Sequence, residues 1–137
     1  MKLSFSTKGW HNNSFEEFCD IAESLGFKGI ELHNINNRLF TAKDGAFHSY
    51  SAAATLRRLY EKKLSIPCID TIVNISNPEL FDDAMAEIKK CMEIAKNLHI
   101  PNIRLRAENC EDKEKGIEAV RKFLENAVAT AEEKEVT

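Results

Sequence analysis

The sequence is poor in the features that mark nucleic-acid-binding and membrane-associated chains. Its 137 residues contain 19 Lys and Arg against 22 Asp and Glu, and no basic block interrupts this mixture of charges. A chain with a formal charge of −3 and no basic patch lacks the electrostatic footprint that attracts a nucleic-acid backbone or an anionic membrane surface. We therefore expect neither nucleic acid nor a membrane among its partners.

Long apolar runs and closely paired cysteines are also missing. The first eight residues are too few and too polar for the core of a signal peptide, which favours a cytoplasmic protein. The four cysteines, Cys19, Cys68, Cys91 and Cys110, include no C-x-x-C pair. We therefore predict scattered reduced thiols rather than a zinc knuckle or a redox pair.

Three common functional motifs do not occur in the sequence. There is no G-x-G-x-x-G after a strand and no G-x-x-x-x-G-K, so nucleotide-binding doubly wound sheets lose support. The G-x-S-x-G elbow of serine hydrolases is absent as well.

The sequence does contain strand-like segments that alternate with amphipathic helices. Strands are predicted at residues 3–7, 29–34, 67–73 and 102–107, and apolar residues at steps of three and four predict a helix after each of them. A capping box at Ser14 to Glu17 opens the first helix, Gly26 ends it, and Asn77 with Pro78 opens the third. The order βαβαβαβα predicts an α/β fold with a parallel sheet, because parallel neighbours need long crossover connections.

The second and fourth helices are each predicted to bury one apolar stripe. These stripes are Leu56, Leu59, Tyr60 and Leu64, and Val120, Phe123, Leu124, Ala127 and Ala131.

A weak internal repeat marks the passage from helix to strand. Leu25-x-Phe27-x-x-Ile30, Leu64-x-Ile66-x-x-Ile69 and Leu98-x-Ile100-x-x-Ile103 share one spacing, at intervals of 39 and 34 residues. These intervals are close to the roughly 31 residues per unit of an eight-unit barrel. We predict that residues 1–137 form a single domain of four βα units, a truncated amino-terminal half of a TIM (β/α)8 barrel. Residues 134–137 are similar to residues 63–66, so we expect the chain to stop as a fifth strand begins.

Charged residues alternate with apolar ones in two predicted strands. One face of these strands carries Glu31, His33, Arg104 and Arg106, and Asp70 of the third strand is a further candidate. In a closed barrel this face points into the interior, near the strand ends where such enzymes place their chemistry. Two interpretations remain open: an internal salt-bridge layer, such as Glu31 with Arg104, or a layer that faces substrate.

Two connections after strands supply further candidates. The segment from residue 34 to residue 50 is long enough to form an active-site loop, although a solvated insertion would look the same. Its polar and aromatic candidates are Asn36, Asn37, Arg38, Phe40, Lys43 and His48. Trp10 follows the first strand and is interpreted either as a ring that packs on a ligand or as a lid over the core.

Several segments resemble one group of TIM barrels. Residues 2–10, the capping box and residues 25–32 resemble the sugar phosphate isomerase/epimerase group of the xylose-isomerase-like superfamily, and Gly29-Ile30-Glu31-Leu32 is the most specific part. Residues 64–68 and 100–105 are similar to the third and fourth strands of that group. The resemblance covers the whole chain but only the amino-terminal half of the family's barrel.

The resemblance implies the amino-terminal part of a metal-dependent sugar or sugar phosphate isomerase/epimerase, which transfers a proton α to a carbonyl. It also implies a divalent ion (Mn, Mg, Co or Zn) held by Glu, Asp, His and Glu of strands five to eight, outside this chain. No catalytic or metal-binding residue is therefore assigned to residues 1–137, and the chain alone is expected to be inactive. The predicted substrate-binding residues are Trp10, Glu31, His33 and Arg104.

Two alternatives to this interpretation stay open. A non-catalytic half-barrel would associate with itself, or with a second half, through the exposed edges of its first and fourth strands. An abasic-site nuclease of the endonuclease IV type would need more strand-end histidines than His33 and His48, and its DNA partner fits the acidic charge poorly.

Overall fold

The computed structural model describes residues 2–10, 12–33, 43, 45–108 and 110–137. Within them the chain alternates four strands with four α-helices, as the sequence predicts. The elements are β1 (Ser4–Ser6), α1 (Phe15–Ser24), β2 (Gly29–His33), α2 (Ala52–Glu61), β3 (Cys68–Asn74), α3 (Phe81–Asn97), β4 (Asn102–Arg106) and α4 (Lys113–Lys134). The strands form one parallel sheet in the order β1-β2-β3-β4. This confirms the predicted α/β class and the prediction that the chain forms part of a TIM barrel.

The chain divides into two compact units, residues 1–69 and residues 70–137. In the first unit β1 and β2 run parallel, with Phe5 opposite Ile30 and Ser6 opposite Glu31. The single domain over residues 1–137 stays a prediction. The larger core residues of the first unit are Phe15, Phe18, Ile30, Leu32, Leu59 and Leu64, and those of the second are Met85, Ile88, Met92, Ile100 and Phe123.

Local hydrogen bonds begin the helices where the sequence predicts. The Ser14 hydroxyl accepts from the Glu17 N–H at 3.2 Å, and the Glu17 carboxylate accepts from the Ser14 N–H at 2.6 Å. This reciprocal capping box satisfies two N–H groups that the first turn leaves without helical partners. The Asn77 side chain accepts from the Glu79 N–H at 3.0 Å at the start of a 3-10 turn, Pro78–Leu80, that leads into α3.

All four helices end in the same kind of turn. A residue with positive φ follows each helix, and the N–H of the next residue donates to the helix carbonyl five positions earlier. The positive-φ residues are Gly26, Lys63, His99 and Glu135, and the bonds are Phe27 to Ala22, Leu64 to Leu59, Ile100 to Ala95 and Val136 to Ala131, at 2.8, 2.8, 2.8 and 3.0 Å. This hydrogen-bond pattern is that of the Schellman motif, which satisfies carbonyls at the helix end.

These turns give the internal repeat its correct alignment. The positive-φ residues stand at positions 26, 63, 99 and 135, so the intervals are 37, 36 and 36 residues. The spacing of 39 and 34 residues was wrong because it matched Leu64, which follows its turn, with Leu25 and Leu98, which precede theirs.

The passage at the end of α4 repeats the passage at the end of α2. The Ser65 N–H donates to the Lys28 carbonyl at 3.0 Å, and the Ser65 carbonyl accepts from the Ile30 N–H at 2.9 Å. Thr137 likewise donates to the Pro101 carbonyl at 2.8 Å and accepts from the Ile103 N–H at 2.7 Å. The backbone therefore aligns residues 134–137 with residues 62–65, so the predicted match to residues 63–66 was wrong by one residue.

Two predicted apolar stripes are only partly buried. On α2 Leu59 is buried, but Leu56 and Tyr60 are 39% and 85% exposed. On α4 Phe123 is buried and Leu124 is 41% exposed. Apolar spacing identified the helices correctly, but it did not reveal which part of each stripe a neighbouring element covers.

The cysteines are thiols, as predicted, and none of the four forms a disulfide. Burial raises the pKa of Cys19 to about 11 and that of Cys91 to about 12. Because the thiolate is the reactive form, these two side chains act as small core residues. Among the described residues, no helix is both long enough and apolar enough to cross a bilayer.

The helix-ending turns make a testable prediction about glycine. His99 has φ +53° and Gly26 has φ +76°, a region that is costly for residues with a Cβ. We expect His99→Gly to raise the free energy of unfolding by about 0.5–1 kcal/mol and Gly26→Ala to lower it by a similar amount. Urea denaturation measures both changes.

The matched control is Lys96→Gly, an exposed position inside α3 where glycine should cost about 1 kcal/mol. If His99→Gly destabilises the protein as Lys96→Gly does, the left-handed turn does not constrain the helix end.

Candidate functional site

The polar face of β2 is set by the pairing of β1 with β2 in the first unit. Ile30 and Leu32 are fully buried, whereas Glu31 and His33, which alternate with them, are half-buried. Because side chains of a strand alternate between two faces, Glu31 and His33 share the face opposite the buried residues. Two of the predicted site residues therefore lie side by side on one strand, as expected.

Thr7 holds the end of this strand in place. Its N–H donates to the Glu31 carbonyl at 3.0 Å, and its hydroxyl accepts from the His33 N–H at 3.0 Å. The Thr7 side chain is only 8% exposed, so these bonds are well shielded from water. Sequence reasoning missed this residue; the available signal was a hydroxyl at the end of the first strand, next to the end of the second.

A buried carboxylate in the second unit forms ion pairs with two arginines. Asp70 of β3 is 1% exposed, and its Oδ2 lies 2.9 Å from Nη2 of Arg106. Nη1 of Arg104 lies 3.9 Å from Oδ1 of the same carboxylate. The side chains of Arg104 and Arg106 are 53% and 28% exposed, so both guanidinium groups retain access to solvent.

This cluster contains ion pairs of the kind that one of the two interpretations of the charged face predicts. Asp70 joins Arg104 and Arg106 as the sequence suggested, and the three groups form an ion-paired layer with a formal charge of +1. The Thr71 hydroxyl donates to the Arg104 carbonyl at 2.8 Å, which fixes the backbone of β4 beside β3. One carboxylate thus lies within ion-pair distance of two arginines, of which Arg104 is the more exposed.

Polar groups also bind the residues that follow β3 and β4 to each other. The Ser76 hydroxyl lies 2.7 Å from Asn74 Oδ1 and 2.8 Å from the Glu108 carbonyl oxygen. The Asn74 amide donates to the Glu108 carboxylate at 3.4 Å, a long bond. Asn74 and Ser76 were not among the predicted site residues, although two polar residues immediately after a strand were a signal of such a cluster.

Trp10 belongs to an aromatic cluster in the first unit. Its ring lies 6.0 Å from that of Phe5 and 6.2 Å from that of Phe18, and Phe18 is a buried residue of α1. Phe5 pairs with Ile30, so Trp10 packs on the helix-facing side of β1, opposite the face of Glu31. With 44% of its surface exposed, Trp10 has the position of a lid over the core.

The long loop is only partly described. Asn36, Asn37, Arg38 and Phe40 lie outside the described residues, whereas Lys43 is exposed and His48 is half-buried with its ring 5.3 Å from that of Tyr50. In the described part of the chain, no group of three or more His, Cys, Asp or Glu side chains is arranged to hold a metal ion. His99 occupies the turn before β4.

The family model that matches this chain decides its relationship. It is described as "Xylose isomerase-like TIM barrel" and matches residues 19–137. The chain belongs to the xylose isomerase-like TIM barrel family. Comparison with curated proteins finds no match.

Several solved structures have the same fold as this chain over about half of their own length. The zinc-bound IOLI protein matches with a TM-score of 0.79 and 20% identity, over 100% of this chain and 50% of its own. The probable 3-DHS dehydratase AsbF from Bacillus anthracis matches with a TM-score of 0.75 and 21% identity, over 95% of this chain and 49% of its own. D-psicose 3-epimerase matches with a TM-score of 0.75 and 13% identity, over 100% of this chain and 50% of its own. This chain therefore spans about half the length of these structures, and at such identities the likeness concerns the fold.

The arginine cluster of this xylose isomerase-like chain makes a prediction about stability. Asp70→Asn removes the buried charge on which two arginines converge, and we expect it to lower the free energy of unfolding by about 2–3 kcal/mol. This value is below that of a fully buried pair because both arginines are partly exposed. Urea denaturation at neutral pH measures the change.

The control is Glu118→Gln on α4, where an exposed carboxylate accepts from Arg121 at 2.8 and 3.0 Å. Exposed pairs contribute little, so this change should cost under about 1 kcal/mol. Equal losses in the two variants would mean that Asp70 has no special structural role.

Proposed function

We propose that this chain is the amino-terminal part of a metal-dependent sugar or sugar phosphate isomerase/epimerase, in which the whole protein moves a proton α to a carbonyl. The observation that carries the proposal is that each unit has a charged strand face, with Glu31 and His33 on β2 of the first unit and Arg104 and Arg106 on β4 of the second. Strands of a parallel sheet that serve only the core read as continuous apolar runs. The family, and the similarity of the fold to that of D-psicose 3-epimerase, support the isomerase/epimerase class of reaction.

Three of the predicted residues have roles suited to their chemistry. Arg104 donates charge-assisted hydrogen bonds to sugar hydroxyls or to a phosphate, with Asp70 keeping its guanidinium oriented. Glu31 accepts hydrogen bonds from hydroxyls, and His33, whose backbone Thr7 holds, donates or accepts with its ring. Trp10 packs on Phe5 and Phe18 on the opposite, helix-facing side of β1, so we leave it out of this ligand contact.

The cofactor belongs to this proposal rather than to the described residues. A divalent ion (Mn, Mg, Co or Zn) would supply Lewis-acid stabilisation to the whole protein, and the similar IOLI structure binds a zinc atom. The described residues do not fit such an ion because they bring no three ligand side chains together. We assign its ligands to parts of the barrel outside residues 1–137, and we propose a cytoplasmic protein that takes a small sugar as its partner.

A second proposal concerns assembly. In a half-barrel the outer edge of β1 lacks the neighbour that a closed barrel provides, and so does the edge of β4 beyond its hydrogen bonds to Thr137; such edges pair readily with other strands. The proposed partner is a second copy of the chain or a separate second half.

The substrate role of the β2 face can be separated from a structural one. In an active protein that contains this chain, we expect Glu31→Gln and His33→Ala to reduce kcat/KM by at least about tenfold, because contacts to the ligand are lost. The melting temperature should change little, since both side chains are only half-buried. Steady-state kinetics and thermal denaturation test the two parts independently. Unchanged kinetics with a large drop in melting temperature would instead assign these residues to a salt-bridge layer.

The isolated chain is predicted to be inactive. We expect no solvent exchange at the carbon next to the carbonyl of a ketose, and no metal site of micromolar affinity, because too few ligands converge. Calorimetric titration with Mn²⁺, Co²⁺ and Zn²⁺, together with proton-exchange assays on a panel of ketoses, measures both. One-to-one metal binding accompanied by exchange at a sugar carbon would show that the active site lies within residues 1–137.

A further inference from the structure

One residue after β4 is held through its backbone and its side chain at once. The Glu108 N–H donates to the Ser76 hydroxyl at 3.1 Å, and the Glu108 carbonyl oxygen lies 2.8 Å from the same hydroxyl. Asn74 adds two longer bonds, since its Oδ1 accepts from the Glu108 N–H and its amide donates to the Glu108 carboxylate, both at 3.4 Å. Two residues at the end of β3 therefore fix the position of Glu108.

A glycine inside α4 shows that the following part of the loop is closely packed as well. A Cβ on Gly116 would lie 2.9 Å from the Cβ of Cys110, closer than non-bonded carbon atoms pack. Glycine is unfavourable in the interior of a helix, so this close approach gives it a reason to be there. Asp112 then caps the helix by accepting from the Lys115 N–H at 3.2 Å. The loop from Glu108 to α4 is thus fixed at both of its ends.

The position of Glu108 suits contact with a ligand. Its side chain is exposed, although its backbone is held, and it follows the carboxyl end of a parallel strand, where barrel enzymes bind their ligands. Glu108 continues the two-residue spacing of Arg104 and Arg106 just beyond β4. Two residues of extended chain span about 7 Å, so one small ligand beside Arg106 comes within reach of Glu108.

Charge decides which ligand groups this carboxylate can contact. An ionised carboxylate accepts hydrogen bonds and donates none, so it binds groups that carry donors, such as sugar hydroxyls. A phosphate carries negative charge and is repelled at the same position. Glu108 therefore discriminates between a hydroxyl end and a phosphate end of a sugar.

We propose that Glu108 is a specificity-determining residue, which accepts hydrogen bonds from the hydroxyl groups of a sugar and excludes a phosphate from the end of β4. Asn74 and Ser76 are its positioning residues. The inference rests on the proposed function and narrows its substrate class to a free sugar or a sugar monophosphate, bound with a hydroxyl end at Glu108. A sugar with a phosphate at each end is disfavoured.

NMR titration of the purified chain with fructose, fructose 6-phosphate and fructose 1,6-bisphosphate tests this role. We expect Glu108→Gln to raise the Kd of fructose at least about fivefold, because charge-assisted hydrogen bonds are stronger than neutral ones. The same variant should lower the Kd of the bisphosphate, because the repulsion of its second phosphate is removed. A structural defect would weaken the binding of both ligands, so the opposite signs identify a ligand contact.

Two further variants control this experiment. Glu111→Gln removes the same charge from an exposed position in the same loop and should leave every Kd within about twofold, because its carboxylate does not follow the spacing of Arg104 and Arg106. Asn74→Ala should weaken fructose binding when Glu108 is present but add nothing in the Glu108→Ala background, as expected of a residue that acts through another. Circular dichroism verifies that each variant is folded.

The outcomes separate this inference from the proposed function. Binding of fructose 6-phosphate with affinities for all three ligands that Glu108→Gln leaves unchanged would overturn the role of Glu108 and keep the sugar-binding strand faces. Weaker binding of all three ligands in that variant would assign Glu108 to folding and also overturn its role. If the unmodified chain bound none of the three at millimolar concentration, both this inference and the binding of sugars by the strand faces would be contradicted.

Discussion

The left-handed turn at the end of each helix is the constraint on which the rest of the structure depends. A residue with positive φ reverses the chain, and the N–H of the apolar residue after it donates back into the helix, as that of Ile100 does to the Ala95 carbonyl. The strand then begins a few residues later in a fixed phase. Since the side chains of a strand alternate, this phase decides whether Glu31 or Ile30 points toward the helices. A shift of one residue would bury the charges and expose the core.

Much of this arrangement could be predicted from the sequence. Capping residues and turn residues act locally, so the start of α1 at Ser14 and its end at Gly26 were found correctly. The alternation of charged and apolar residues is equally local, and it predicted the polar faces of β2 and β4. The class of fold followed from the order of elements alone.

Other features depend on contacts that a sequence does not display. Lys63, His99 and Glu135 adopt positive φ without being glycine, so the turns after α2, α3 and α4 carried no local signal and the repeat was first aligned incorrectly. Tyr60 and Leu124 have the spacing of core residues, but burial depends on which neighbour covers a helix face. Thr7 is an ordinary strand-end threonine until its hydroxyl is seen to hold the His33 N–H.

The electrostatics of the second unit connects the fold to the proposed ligand. Asp70 is buried beside Arg104 and Arg106, and Arg104 is the more exposed of the two arginines in this ion-paired group. Such a group stabilises β4 and, under the proposed function, also attracts the oxygen atoms of a sugar or its phosphate. The two effects share the same residues, which explains why the sequence alone allowed both interpretations.

The most direct test of sugar binding by the charged faces of β2 and β4 is to record the NMR chemical shifts of the amides and arginine side chains of the isolated chain during titration with fructose 6-phosphate. We predict that the shifts concentrate on Glu31, His33, Arg104 and Arg106, that the Arg104 side chain responds most strongly, and that fructose without phosphate acts at the same residues more weakly. Chemical-shift changes confined to the exposed lysines of the helices, or the absence of any change on β2 and β4 at millimolar ligand, would contradict the claim that the charged faces of these strands bind sugars.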